Sequence, residues 1–206
     1  MRDAGGSLSY LGIAEVKLCA SGITQTRNPE IRLMLEINTP KGQEALRNEH
    51  ECIESFCKLY PDYKFLETDK RKPAAIDGFF YLHKNQWVDC AVEVKTRNVT
   101  QEQLVCDYGN ELLISHQKIL KGQRISELIC CPFIVMVYLV PDKIILTIRI
   151  TDDKGKFLVD FDVRRTKYRA TVNGGETVGD NAFIPMDKAK EHKWFTKQNA
   201  DDAGQQ

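Results

Sequence analysis

Eight consecutive residues, Phe133 to Val140, stand between Pro132 and Pro141 without a charged side chain among them, and they restrict the fold more than any other segment. A strand with one face in water alternates apolar and polar residues, whereas a continuous apolar run bounded by prolines predicts a strand covered on both faces. Such a strand needs layers above and below it, so the chain is expected to be an α/β protein built on a central sheet.

A second run carries chemistry. Trp87 to Lys95 alternates as a β-strand does, which places Asp89, Ala91, Glu93 and Lys95 on one face and Cys90, Val92 and Val94 on the other. An acid and a base two residues apart therefore point the same way. Upstream, Ala74-Ala75-Ile76-Asp77-Gly78 brings another carboxylate to the start of an apolar stretch, and Phe79 to Trp87 reads as a hairpin turning near His83-Lys84-Asn85-Gln86. Two carboxylates on adjacent strands can hold a hard cation such as Mg²⁺ or Mn²⁺, to which the carbonyl of Val94 adds a neutral oxygen ligand. Lys95 can orient or deprotonate a water and offset negative charge at a phosphate. The contrasting reading of the same triplet is an ordinary ion pair on an exposed strand, worth about 0.2 to 1 kcal/mol.

Around these strands, Thr39-Pro40 predicts a helix start, and a stripe of Leu46, Ile53, Cys57 and Tyr60 continues it until Pro61-Asp62. Glu49 falls on the inward side of that stripe, a polar residue on a core face. Tyr63 to Thr68 is a strand candidate, Thr100 and Ser115 are helix caps, and Gly109-Asn110 interrupts the helical stretch between them. Further strands are expected at Ile144–Ile150, Phe157–Val163 and Tyr168–Val172, with a short strand or helical turn at Ile31–Ile37. The predicted organisation is an N-terminal extension over 1–38, a core over 39–141, a β-hairpin extension over 142–195 packed on the same domain, and a polar tail over 196–206.

The core order of helix, three strands, helix and strand, with Asp77, Glu93-Val94-Lys95 and Glu49 placed as above, resembles the PD-(D/E)XK nuclease superfamily, the restriction-endonuclease-like fold. The resemblance spans about residues 40 to 140, and the segment Ile114-Ser115-His116-Gln117-Lys118-Ile119 is similar to phage and prophage members. Ile76 stands where the proline of the superfamily's name would be, and the helix acid is chosen from Glu44, Glu49, Glu51 and Glu54. The resemblance implies a Mg²⁺- or Mn²⁺-dependent nuclease that hydrolyses DNA phosphodiester bonds. Its metal ligands are then Asp77, Glu93 and the Val94 carbonyl, its catalytic set is Asp77, Glu93, Lys95 and Glu49, and Gln117 or Lys118 contacts the metal-bound water or a phosphate. Because a duplex presents two strands related by a two-fold axis, a homodimer also follows by analogy. The alternative on the same fold is a catalytically inactive nucleic-acid-binding or assembly protein.

Composition sets the limits of these readings. The 206 residues carry 29 basic and 29 acidic side chains, so no global field favours nucleic acid and any such surface must be local. Local candidates are Arg97, Lys72 within Lys70-Arg71-Lys72, and Arg165 within a basic segment, Arg164 to Arg169, expected to be a turn. The seven cysteines form no CxxC pair, and the absence of a secretory leader or a long apolar run predicts a cytoplasmic protein with no membrane anchor. The four histidines show no metal-ligand spacing, and His50 is expected on a helix surface.

Overall fold

The computed structural model describes residues 39–70, 74–168 and 177–193; the expectations for Ile31–Ile37, for the N-terminal extension, for Lys72, for the strand at Tyr168–Val172 beyond its first residue and for the tail lie outside them. Helix α1, Pro40–Leu59, starts where Thr39 Oγ1 accepts the Gly42 N–H at 3.0 Å and Pro40 occupies a first-turn position that needs no N–H. It stops before Pro61. Its buried stripe is Cys52, Ile53 and Phe56, one turn below Glu49 on the same face. The expected partners Leu46, Cys57 and Tyr60 are half-buried at its margins.

Strands β1 (Tyr63–Glu67), β2 (Gly78–Leu82) and β3 (Val88–Arg97) follow, then helix α2 (Gln101–Cys106), strand β4 (Glu111–Ser115), helix α3 (His116–Ile129) and strand β5 (Phe133–Leu139). Strands β6 (Ile144–Arg149), β7 (Asp162–Tyr168), β8 (Thr177–Pro185) and β9 (Lys190–Lys193) complete the described elements. One sheet has the order β1-β2-β3-β5-β6-β9; it is mixed, because β3 and β5 run parallel while the other neighbours are antiparallel. A second, antiparallel sheet has the order β4-β8-β7. Residues 142–193 thus supply strands to both sheets, β6 and β9 to one and β7 and β8 to the other.

The apolar run is buried on both faces. Phe133, Val135, Val137 and Leu139 pack with Ile119 of α3 and with Leu112, Ile114 and Ile184 of the second sheet, while Met136 and Tyr138 pack with Cys52 and Ile53 of α1. β3 divides the same way, with Ala91 toward the α3 side and Cys90, Val92 and Val94 toward α1. Among the described residues no helix is long and apolar enough to cross a membrane.

Three local expectations change. The basic segment read as a turn forms strand β7 through Tyr168, where Arg164 pairs with Glu111 and Asp162 and stacks 4.3 Å over the Phe183 ring. Phe157 makes only an isolated bridge to Thr151, because Asp152 accepts the Lys154 and Lys156 N–H groups and turns the chain there. α2 ends at Cys106, and Gly109 and Asn110, both at positive φ, turn the chain so that Glu111–Ser115 enters a sheet as β4.

At the far edge of the main sheet, His192 of β9 is buried, with Nδ1 2.7 Å from Tyr60 Oη and Nε2 2.9 Å from Thr147 Oγ1. Burial, reinforced by the neighbouring Lys190 charge, holds its imidazole below the ordinary histidine range. The unfolded chain takes up this proton near pH 6.5, ahead of the folded protein, so His192 lowers stability as pH falls below about 6.5 and stops doing so below its folded pKa. The melting temperature is expected to drop over that window, and His192→Gln, which keeps both hydrogen-bonding groups without a titratable ring, is expected to flatten the drop. Parallel melting curves of the two proteins between pH 5 and 8 check this.

Candidate functional site

The start of β2, the C-terminal half of β3 and the inner face of α1 meet at one cleft. Asp77 directly precedes β2, and its N–H donates to the Val92 carbonyl at 3.0 Å, while Oδ2 accepts the Val94 N–H at 2.8 Å. The carboxylate is thereby clamped to β3 one residue from Glu93. This placement requires glycine next door: a Cβ on Gly78 would lie 2.5 Å from the Leu66 carbonyl oxygen and 2.4 Å from the Phe65 ring.

Glu93 is fully buried and its charge is met from two sides. Lys95 Nζ lies 2.5 Å from Oε1 and Lys118 Nζ lies 3.0 Å from Oε2. Lys95 also reaches the Val94 carbonyl at 3.4 Å, and Lys118 the Ala74 carbonyl at 3.3 Å. The lysine two residues on and the lysine from the first turn of α3 thus hold one carboxylate between them. A carboxylate with no exposure to water needs such partners, since an unpaired buried charge costs several kcal/mol.

Glu49 reaches the same region from α1. Its carboxylate hydrogen-bonds Lys70, whose ammonium also lies 3.0 Å from Asp77 Oδ1. Burial and the Asp77 charge raise the Glu49 pKa, against the pull of Lys70. Asp77 moves the other way: burial alone would raise it, but Lys95, Lys70 and the Val94 N–H together hold it below the usual carboxylate range. Burial likewise opposes the Lys70 charge, yet Asp77 and Glu49 outweigh it and raise that pKa. Three carboxylates and three ammonium groups therefore balance formally, and the carboxyl groups of Glu49 and Asp77 are pushed in opposite directions.

A cleft of about 510 Å³ opens beside them, lined by Glu49, Lys70, Asp77, Val94 and Lys95 and, farther along, by Lys41, Thr96 and Arg97. The structure brings Glu49, Asp77 and Lys95 to one cleft, with Glu93 behind Lys95 and Lys118 on the α3 side of Glu93. Of the other helix acids, Glu51 pairs with Lys143 at 3.4 Å, and Glu44 and Glu54 are exposed. Gln117 is exposed next to Lys118, and Arg165 is exposed on β7 in the other sheet. Arg97 donates to the Thr96 carbonyl at 3.1 Å and the Leu113 carbonyl at 2.7 Å, so it ties the end of β3 to β4 while lining the cleft. His50 pairs with Glu67 at 3.1 Å on the surface.

Sequence reasoning passes over Lys41 and takes Lys70 only as part of the basic cluster Lys70-Arg71-Lys72, not as a partner of the acids. A signal for Lys70 exists in the register: Glu67 faces Gly78, so the chain leaving β1 runs beside the chain entering β2, and Lys70 comes back to Asp77. The donor set is all oxygen, which suits Mg²⁺ or Mn²⁺. No three His, Cys, Asp or Glu side chains among the described residues converge as a metal-ligating group. Two do converge on one cation: the Lys70 ammonium, held by Glu49 and Asp77 together, marks a point that both carboxylates reach. Glu49 and Asp77 thus offer oxygen donors to one cation position, which Lys70 fills. In comparison with known proteins, the chain matches no family model, no curated protein and no solved structure.

Proposed function

We propose that the protein is a metal-dependent nuclease on a restriction-endonuclease-like core, hydrolysing DNA phosphodiester bonds with a metal-activated water. The observation that carries this reading is the clamp of Asp77 to the Val94 N–H, which sets it next to Glu93 and Lys95 with Glu49 opposite. The order α1, β1-β2-β3, α3 and a β5 parallel to β3 supports the core assignment.

When bound, Mg²⁺ or Mn²⁺ would be held by Asp77 and Glu49, with the Val94 carbonyl and Glu93 as the remaining oxygen donors, and it would supply Lewis acidity and a more acidic water. Lys95, its ammonium paired with Glu93, would donate a hydrogen bond to a water in the cleft and offset negative charge developing at the phosphate. Lys118 pairs with Glu93 from the α3 side and adds positive charge there. Lys41 and Arg97 line the other end of the cleft, where they meet phosphates flanking the scissile one. Contacts of that kind bind any sequence and weaken with salt. We place the protein in the cytoplasm, which is supported by the free thiols of the six described cysteines.

Labelled linear duplex, single-stranded and branched DNA incubated with Mg²⁺, Mn²⁺ or EDTA tests the proposal. Cleavage in either metal and none in chelator is expected; no metal-dependent cleavage of any of the three would sink it. A second reading has its own support, because every acid of the cluster already has a lysine partner. A charge-balanced cluster is also what an inactive binding or assembly protein would keep for structure, and that version predicts DNA binding unchanged by chelator with no strand scission.

A further inference from the structure

Lys70 stands where a metal ion would stand. It leaves the chain three residues past the end of β1, close to where Thr68 Oγ1 donates to the Ile76 and Asp77 carbonyls at 2.8 and 3.0 Å and pins the backbone. The pinned backbone leaves the long side chain as the part that can move. Its ammonium touches both Glu49 and Asp77, lies 4.0 Å from Glu67, and lines the cleft rather than the core. We propose that Lys70 is a displaceable internal counter-ion: it fills the cation position between Glu49 and Asp77, must leave when a divalent ion binds there, and is released into the cleft where a substrate phosphate can take it up. The proposal rests on reading the cleft as a metal site.

Electrostatics supports the exchange. Two partly buried carboxylates that face each other repel, so the metal-free protein needs a cation between them. An ammonium and a divalent ion cannot share that point, since both are positive and both need the same oxygens. An incoming ion therefore does work against Lys70, which weakens its binding, and the expelled ammonium lands among Lys41 and Lys95 on the cleft wall, a position favoured when a phosphodiester is present. Metal and nucleic acid would then bind with positive coupling.

Two measurements on the full chain test this. Calorimetric titration of Mn²⁺ into wild type, Lys70→Ala, Lys70→Gln and Asp77→Asn is expected to show both Lys70 variants binding at least about tenfold more tightly than wild type, with binding lost in Asp77→Asn. Lys70→Gln keeps a hydrogen-bond donor for the carboxylates and guards against misfolding of the alanine variant. In wild type, acetylation of Lys70 by a water-soluble amine reagent, read by mass spectrometry, is expected to rise severalfold in saturating Mn²⁺, while Lys84, 85% exposed, stays constant. Wild-type affinity in both folded variants, or Lys70 acetylation indifferent to Mn²⁺ that does bind, overturns the displacement and leaves the metal site standing. No Mn²⁺ binding by any of the four proteins overturns both. If neither Lys70 variant folds, the wild-type acetylation decides.

Discussion

Asp77→Asn is expected to abolish metal-dependent cleavage while leaving the fold intact. The amide oxygen can still accept the Val94 N–H, so the clamp that joins the start of β2 to β3 survives. What disappears is the negative charge that faces Lys70 and Lys95 and, in the proposed reaction, the divalent ion. A bound metal supplies several kcal/mol of charge stabilisation, so the loss in rate is expected to reach about 10³-fold or more. Stabilisation by Mg²⁺ or Mn²⁺, which follows from mass action in wild type, should vanish with it. The pH dependence has a defined sign. Because the folded protein holds Asp77 below the usual carboxylate range, its contribution is present above the unfolded pKa near 3.9 and is lost as pH falls through the lower folded value. The variant should therefore melt below wild type at neutral pH and converge with it in acid. Cleavage within tenfold of wild type would remove Asp77 from the mechanism.

The largest effect on stability is expected from Gly78→Ala. A new Cβ would sit 2.5 Å from the Leu66 carbonyl oxygen, and that oxygen belongs to the β1 backbone paired with β2, where no rotamer can relieve the contact. The Phe65 ring, 2.4 Å away, packs against Phe80 with centroids 5.0 Å apart, so it cannot retreat freely either. Overpacking of this kind costs about 1–3 kcal/mol, and since backbone must move the upper end is expected, about 6–12 °C in melting temperature for a domain of this size. Because Asp77 is the adjacent residue, the displaced strand should also misplace its carboxylate, and activity should fall further than unfolding accounts for. Thermal melts together with cleavage rates at 20 °C check both effects. A melting temperature within 2 °C of wild type would mean that β1 can shift without cost.

Elements whose partners are close in sequence or whose ends carry caps were legible beforehand. The Phe133–Val140 run became the doubly covered β5, Thr39-Pro40 and Pro61 bounded α1, and the hairpin near His83–Gln86 joined β2 to β3. The faces of β3 also divided as alternation requires. Elements that depend on distant partners were not legible. β4 finds its partner in β8, with Glu111 opposite Pro185, and β9 pairs with β6 through residues such as His192 opposite Ile145. Nothing local in Glu111–Ser115 announces such a contact. At the site, Asp77, Glu93 and Lys95 could be named because strand alternation and a glycine position them, and Glu49 because it sits on a core-facing stripe. Lys70 was legible only as part of a basic cluster; its place between Glu49 and Asp77 was not, since it lies outside regular structure and that role emerges only when the β1–β2 register folds the chain back on itself.

In the proposed function this cluster performs chemistry and is more than a balanced set of ion pairs. Its most direct test compares wild type with Lys95→Ala on labelled DNA in Mg²⁺, Mn²⁺ and EDTA, with DNA binding recorded for both proteins. Cutting by wild type in metal only, a loss of about 10²- to 10⁴-fold in Lys95→Ala, and similar binding by the two are expected. Equal cutting by both proteins, or binding by both with no cutting in any metal, would contradict that function.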